Sequence, residues 1–117
     1  MTGNTLHDKS LLFAVRIVNF YKFLTEQKKE FVISKQILRS GTSIGANNAE
    51  ACNGISKADF KSKSFIALKE ARESLYWIEL LHRNNFIDDR QYESIYGDCE
   101  ELVKVLHHRC KKINDTE

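Results

Sequence analysis

From Tyr92 to Ile113 the apolar residues return at every third or fourth position: Tyr92, Ile95, Tyr96, Cys99, Leu102, Val103, Leu106, Cys110 and Ile113. An α-helix, at 3.6 residues per turn, gathers such positions on one face, whereas a strand would divide them between two. The charges run the right way for a helix dipole. Asp88, Asp89 and Glu93 come early, and Lys104, Arg109, Lys111 and Lys112 come late. Asp88 followed by Gln91 reads as the N-terminal cap. Such a helix must bury its apolar face against other elements, and strands are in short supply. Only Glu30-Phe31-Val32-Ile33 could be extended, and it has no partner strand.

Three further helices emerge upstream. The 117 residues contain no proline and five glycines, so little interrupts long helices. Thr5 with Asp8 fits a capping box ahead of Leu11, Leu12, Val15 and Val18, and the first helix should run to about Gln27. After the polar break Gln27-Lys28-Lys29-Glu30, the second helix is expected to start near Ser34 as N-cap. It runs through Ile37, Leu38, Gly41, Ile44, Gly45 and Ala49 to an Asn53-Gly54 stop, with Gly54 supplying a left-handed residue. Ser56 with Asp59 caps the third helix, which carries Phe60, Ile66, Leu68, Ala71, Leu75, Ile78 and Leu81 and ends at Arg83-Asn84-Asn85. Linkers of a few residues make sequential helices antiparallel neighbours. The expected architecture is all-α, an antiparallel up-and-down four-helix bundle, with residues 1–117 as a single domain.

Two features exceed what one bundle core requires. On the first helix Phe20, Phe13, Leu24, Ile17, Tyr21, Ala14, Val18, Leu11 and Val15 cover an arc of roughly 220°, where one core contact needs about 100°. The excess belongs either to a helix wedged between its own neighbours or to a second contact with another molecule. On the second helix Gly41, Gly45 and Ala49 form a flat strip at i, i+4, i+8 that admits another backbone.

Most site chemistries find no footing. His107, His108, Cys110 and Cys99 would have to hold zinc from one straight helix, so the cysteines read as core and no metal is expected. The serines lie on helices without a GxSxG elbow or SxxK pattern. Gly41-Thr42-Ser43-Ile44-Gly45 lacks the GK[ST] of a phosphate loop. No catalytic residue and no cofactor follow. Three cysteines without a CxxC suggest reduced thiols, and neither a leader nor an apolar span of about 18 residues is evident, so a cytoplasmic protein without membrane contact is expected.

Two polar sets remain. Arg39, Ser43, Asn47 and Glu50 form a stripe at i, i+4, i+8, i+11 of the second helix, and Glu70 and Glu73 share a face of the third. A pairing of Arg39 with Glu70 or Glu73 would fix helix register, which makes these six residues a candidate structural network. The candidate nucleic-acid set is Lys9, Arg16, Lys22, Lys28, Lys29, Lys57, Lys61 and Lys63, with Arg83 a further basic residue. Asp8–Asn85 holds 13 Lys/Arg against 8 Asp/Glu, and the remainder from Phe86 holds 5 against 8. A net charge of +2 is modest for a phosphate binder.

The segments Gln36 to Ala51 (QILRSGTSIGANNAEA), Ser56 to Phe60 (SKADF) and Ala67 to Leu81 (ALKEARESLYWIELL) resemble the bacterial four-helix bundle family known as 23S rRNA intervening-sequence or S23 proteins. The resemblance covers nearly the whole chain. It implies an antiparallel four-helix bundle, often a homopentameric ring, and marks Arg39, Ser43, Asn47, Glu50, Glu70 and Glu73 as signature polar positions. The chain is also similar to the accessory protein of diversity-generating retroelements, a basic pentameric barrel that binds nucleic acid and reverse transcriptase. Asn48 departs from the family's apolar preference at its position. The expected function is a non-enzymatic homo-oligomer, a pentamer, that binds RNA or DNA through a basic surface. The alternative is an adaptor that binds a protein partner.

Overall fold

Three of the four helices begin where a side chain takes an otherwise orphaned backbone N–H. Thr5 Oγ1 accepts from Asp8 N at 3.1 Å and Ser56 Oγ from Asp59 N at 3.1 Å. Asp88 Oδ1 accepts from Gln91 N at 2.8 Å while Gln91 Oε1 accepts from Asp88 N at 2.9 Å, a complete capping box. In the computed structural model, which describes residues 5–116, the helices are α1 (Leu6–Glu26), α2 (Ile33–Cys52), α3 (Lys57–Arg83) and α4 (Asp89–Asp115). No strand occurs among the described residues.

The start of α2 corrects the expectation placed on Ser34. The N-cap position is Val32, whose side chain has nothing to offer. Glu30 reaches forward instead, accepting from Val32 N at 3.2 Å, Ile33 N at 2.9 Å and Ser34 N at 2.6 Å. Ser34 lies inside the first turn, and its hydroxyl donates back to the Glu30 carbonyl at 2.8 Å. A carboxylate that meets three N–H groups at the positive end of a helix outcompetes one hydroxyl.

The helix ends also differ from expectation. Among the described residues no glycine has positive φ, so Gly54 supplies no left-handed residue. The left-handed residues are Lys29 (φ 55°) and Asn85 (φ 64°), after α1 and α3. At the first of these, Glu30 N bonds back to Leu24 O at 2.9 Å, the long bond that closes a helix C-terminus. Gly54 is needed for room: a Cβ there would lie 2.9 Å from Asp59 Cβ.

The helices stack in ring order. α1 packs on α2, α2 on α3 and α3 on α4, and α4 returns to α1 along the thinnest seam, in a body of 45 × 28 × 21 Å. The centre is aliphatic, with Ile17, Leu24, Ile37, Ile44, Ile78, Leu81 and Leu106 fully buried. Gly41 lets α1 and α2 close on each other, because an added Cβ would meet Ile17 Cγ1 at 2.8 Å.

α1 is not wedged between its neighbours. Leu11, Leu12, Val15 and Val18 are 54%, 67%, 53% and 38% exposed, while Phe13, Ile17 and Leu24 on the opposite side are buried. Among the described residues no helix is long and apolar enough to cross a membrane.

Candidate functional site

Antiparallel topology separates the sequence-derived cations. Lys28 and Lys29 sit in the α1–α2 connection. Lys57, Lys61 and Lys63 sit at the opposite end, where α2 hands over to α3. The 27 residues of α3 put about 40 Å between the two ends. Several of these cations already face carboxylates. Lys9 Nζ lies 2.6 Å from Glu101, and Arg16 lies 2.6 Å from Asp98 and 2.8 Å from Ser94 Oγ. Lys63 lies 2.9 Å from Glu50, whose hydrogen bond and charge raise the Lys63 pKa, and Arg83 lies 2.9 Å from Glu79. Lys28 stands 5.8 Å over the Phe23 ring. Lys22 and Lys57 project into solvent. The set of Lys9, Arg16, Lys22, Lys28, Lys29, Lys57, Lys61 and Lys63 is thus spread over both ends and the α1–α4 seam, not gathered on one face.

The polar row divides in a similar way. Arg39 bridges from α2 to both α3 glutamates: Nη1 donates to Glu70 at 3.1 Å and Nη2 donates to Glu73. Glu73 also accepts from the Trp77 indole at 2.9 Å, which holds that ring beside Tyr76. Under this pair the buried Ser40 and Ser74 hydroxyls lie 2.8 Å apart. Ser43 and Asn47 turn inward to their own helix, donating to Arg39 O at 2.6 Å and Ser43 O at 2.9 Å. Glu50 belongs to Lys63. The cross-helix network is therefore Arg39, Glu70, Glu73 and Trp77.

A second polar joint went unread in the sequence. Arg109 of α4 donates to Asn48 Oδ1 of α2 at 2.7 Å and to Ser64 Oγ of α3 at 3.3 Å, with its guanidinium 5.1 Å over Phe60. Asn48 and Ser64 are buried, so three helices are tied at one polar point. This gives Asn48, at a position where apolar residues are expected, a structural partner.

Sequence reading also missed a groove between α3 and α4. Phe65, Leu68, Lys69 and Arg72 on α3 and His107, Cys110, Lys111 and Asn114 on α4 line a recess of about 500 Å³. Each quartet has i, i+3, i+4, i+7 spacing, so each was legible as a helix face. Their convergence needed the register between the two helices. Arg72 Nη2 lies 3.1 Å from His107 Nδ1.

Cys99 and Cys110 are core residues with little nucleophilic character, whereas Cys52, against the expectation of a core thiol, is exposed. Burial pushes the Cys99 thiol up to about 12, and it donates to Ala71 O at 3.3 Å. Burial raises Cys110 as well. No three His, Cys, Asp or Glu side chains converge as a metal cage among the described residues.

The fold and these joints define a class: an all-helical bundle locked by cross-helix polar pairs, with one apolar helix face left open. A family model for the 23S rRNA-intervening sequence protein matches residues 4–108. The chain belongs to that family. It is similar to a crystal structure of a protein of unknown function from the S23 ribosomal protein family of Bacteroides thetaiotaomicron. The two are 60% identical with a TM-score of 0.89, and the match covers 92% of this chain and 99% of that one. No functionally curated protein matches.

Proposed function

We propose that the chain is a non-enzymatic bundle that assembles with copies of itself into a closed ring of five and offers RNA or DNA the cationic surface repeated around that ring. The observation that carries the reading is the open side of α1. Leu11, Leu12, Val15 and Val18 lie within two turns of one helix and all face solvent in a single copy. A contiguous apolar stripe of this kind marks an association surface. A face that seats on a different face of the next copy generates a ring when the rotation between copies closes. Repetition strengthens phosphate contacts that are weak in one copy. Light scattering combined with a salt-titrated shift assay on single-stranded RNA and DNA tests both parts. An assembled particle whose binding weakens steeply with salt is expected. A monomer, or a particle that binds neither strand at low salt, removes the corresponding part.

A second reading, a protein adaptor, is favoured by the α2–α3 surface. Tyr76 is 60% exposed, its ring 5.0 Å from Trp77, whose indole shares the Glu73 carboxylate with half-exposed Arg39. Tyr, Trp and Arg are the residue types enriched at the centres of protein interfaces. A stoichiometric protein partner that survives nuclease treatment and is lost with Tyr76→Ser is the result expected of that reading.

A further inference from the structure

We infer that the groove between α3 and α4 seats the sugar-phosphate backbone of a single-stranded nucleic acid. The inference rests on the nucleic-acid part of the proposed function, and adds a place and a strand form to it. Its first support is uncompensated charge. Lys9, Arg16, Lys63 and Arg83 each have a carboxylate within 2.6 to 2.9 Å. Lys69 and Lys111 make no ion pair among the described residues, and both line the recess, one from each helix. Arg72, one turn along, has no carboxylate partner among the described residues; its Nη2 lies 3.1 Å from His107 Nδ1. Three cations thus line the recess against one carboxylate, Asp115. Gathering like charges costs stability that a bound polyanion returns.

The second support is the floor. Buried Leu68 and half-buried Phe65 lie beneath the cations. A strand that tracks the charges can lay a base against this apolar floor, as single-strand binders use aromatic platforms. The recess is a furrow between two helices in contact, which suits a flexible strand laid along it rather than a rigid duplex.

The test uses the full-length protein and fluorescence anisotropy with a labelled oligouridine about 12 nucleotides long, at about 50 mM salt and upward. The Lys69→Gln/Lys111→Gln double variant is compared with Lys35→Gln/Arg90→Gln at the opposite end. All four side chains are solvent-exposed, and unchanged melting of each variant establishes that it is folded. The groove variant should bind at least about tenfold more weakly, with a salt slope shallower by about 1.4, two phosphate contacts' worth. The control should bind like the wild type. Inorganic polyphosphate, which has no bases, should bind more weakly than oligouridine. Wild-type affinity in the groove variant would overturn the groove and leave nucleic-acid binding standing. Preference for a duplex, or equal affinity for polyphosphate, would overturn the strand assignment. No binding by the wild type at low salt would remove the inference together with the reading beneath it.

Discussion

Arg39 on α2 donates to Glu70 on α3 at 3.1 Å, and the two ends of this bond stand in different surroundings: Glu70 is 8% exposed, while the Arg39 side chain is half in solvent. Removing the arginine would leave a buried carboxyl without its cross-helix donor. Arg39→Ala is therefore expected to cost about 1–3 kcal/mol in urea unfolding, below a fully buried pair because the guanidinium is already hydrated on one side. Glu73→Gln, which keeps an acceptor for Trp77, should cost about 1 kcal/mol or less. A melting temperature for Arg39→Ala within error of the wild type would contradict the first value.

Glu30 gives the fold a pH dependence of known sign. Burial alone would raise its pKa, but hydrogen bonds from Ile33, Ser34 and Val32, with the Ser34 hydroxyl, together hold it below its ordinary value. A carboxyl lowered in the folded state contributes stability that is complete above its unfolded pKa and is lost as pH falls through the lowered folded value. Glu30→Gln should destabilise by about 1–2 kcal/mol near neutrality, the size of a lost cap. The difference should shrink in acid below the usual carboxylate range. Parallel melts at neutral and acid pH check this, and a gap that widens on acidification would count against the cap.

The glycines are predicted to respond in opposite directions. A Cβ on Gly41 would press on Ile17 at 2.8 Å, so Gly41→Ala should destabilise by about 1–3 kcal/mol through overpacking. A Cβ on Gly97, within α4, meets nothing within 4 Å, so Gly97→Ala should stabilise by about 0.5–1 kcal/mol through helix propensity. Chemical denaturation of both variants reads the sign directly. A stabilising Gly41→Ala would show that α1 can move away from α2.

Thiol chemistry should sort by burial. Cys52 is exposed, and Cys99 and Cys110 are buried. Iodoacetamide at neutral pH should label Cys52 alone in the folded protein and all three in urea, because the thiolate is the reactive form and burial suppresses it. Mass spectrometry after a timed quench gives the count. Rapid labelling of Cys99 in the native state would mean that α3 and α4 open readily.

Local signals in the sequence were reliable for the elements. Thr5, Ser56 and the Asp88–Gln91 box start helices as read, because capping is settled within four residues. The Arg39 partnership was legible because one cation on α2 faced two carboxylates on α3. The start of α2 was not, since Glu30 acts from outside the helix and its carboxylate displaces the cap role that Ser34 would otherwise fill. The left-handed turn at Lys29 was hidden for a similar reason: the bond from Glu30 N to Leu24 O imposes it on a lysine, which has no such preference, whereas Asn85 is a residue type that takes this conformation readily. The α3–α4 groove and the Arg109–Asn48–Ser64 joint depend on how two helices slide past each other, which periodicity along one helix cannot encode.

The open side of α1 bears most weight in the functional account. Leu11→Glu with Val15→Glu alters side chains that one copy leaves in solvent, so the variant should stay folded and lose only association. The most direct measurement is multi-angle light scattering of the wild-type protein across a dilution series. The account predicts a particle of five times 13.6 kDa that the Leu11→Glu/Val15→Glu variant reduces to single chains. A stable 13.6 kDa species at every concentration would contradict it.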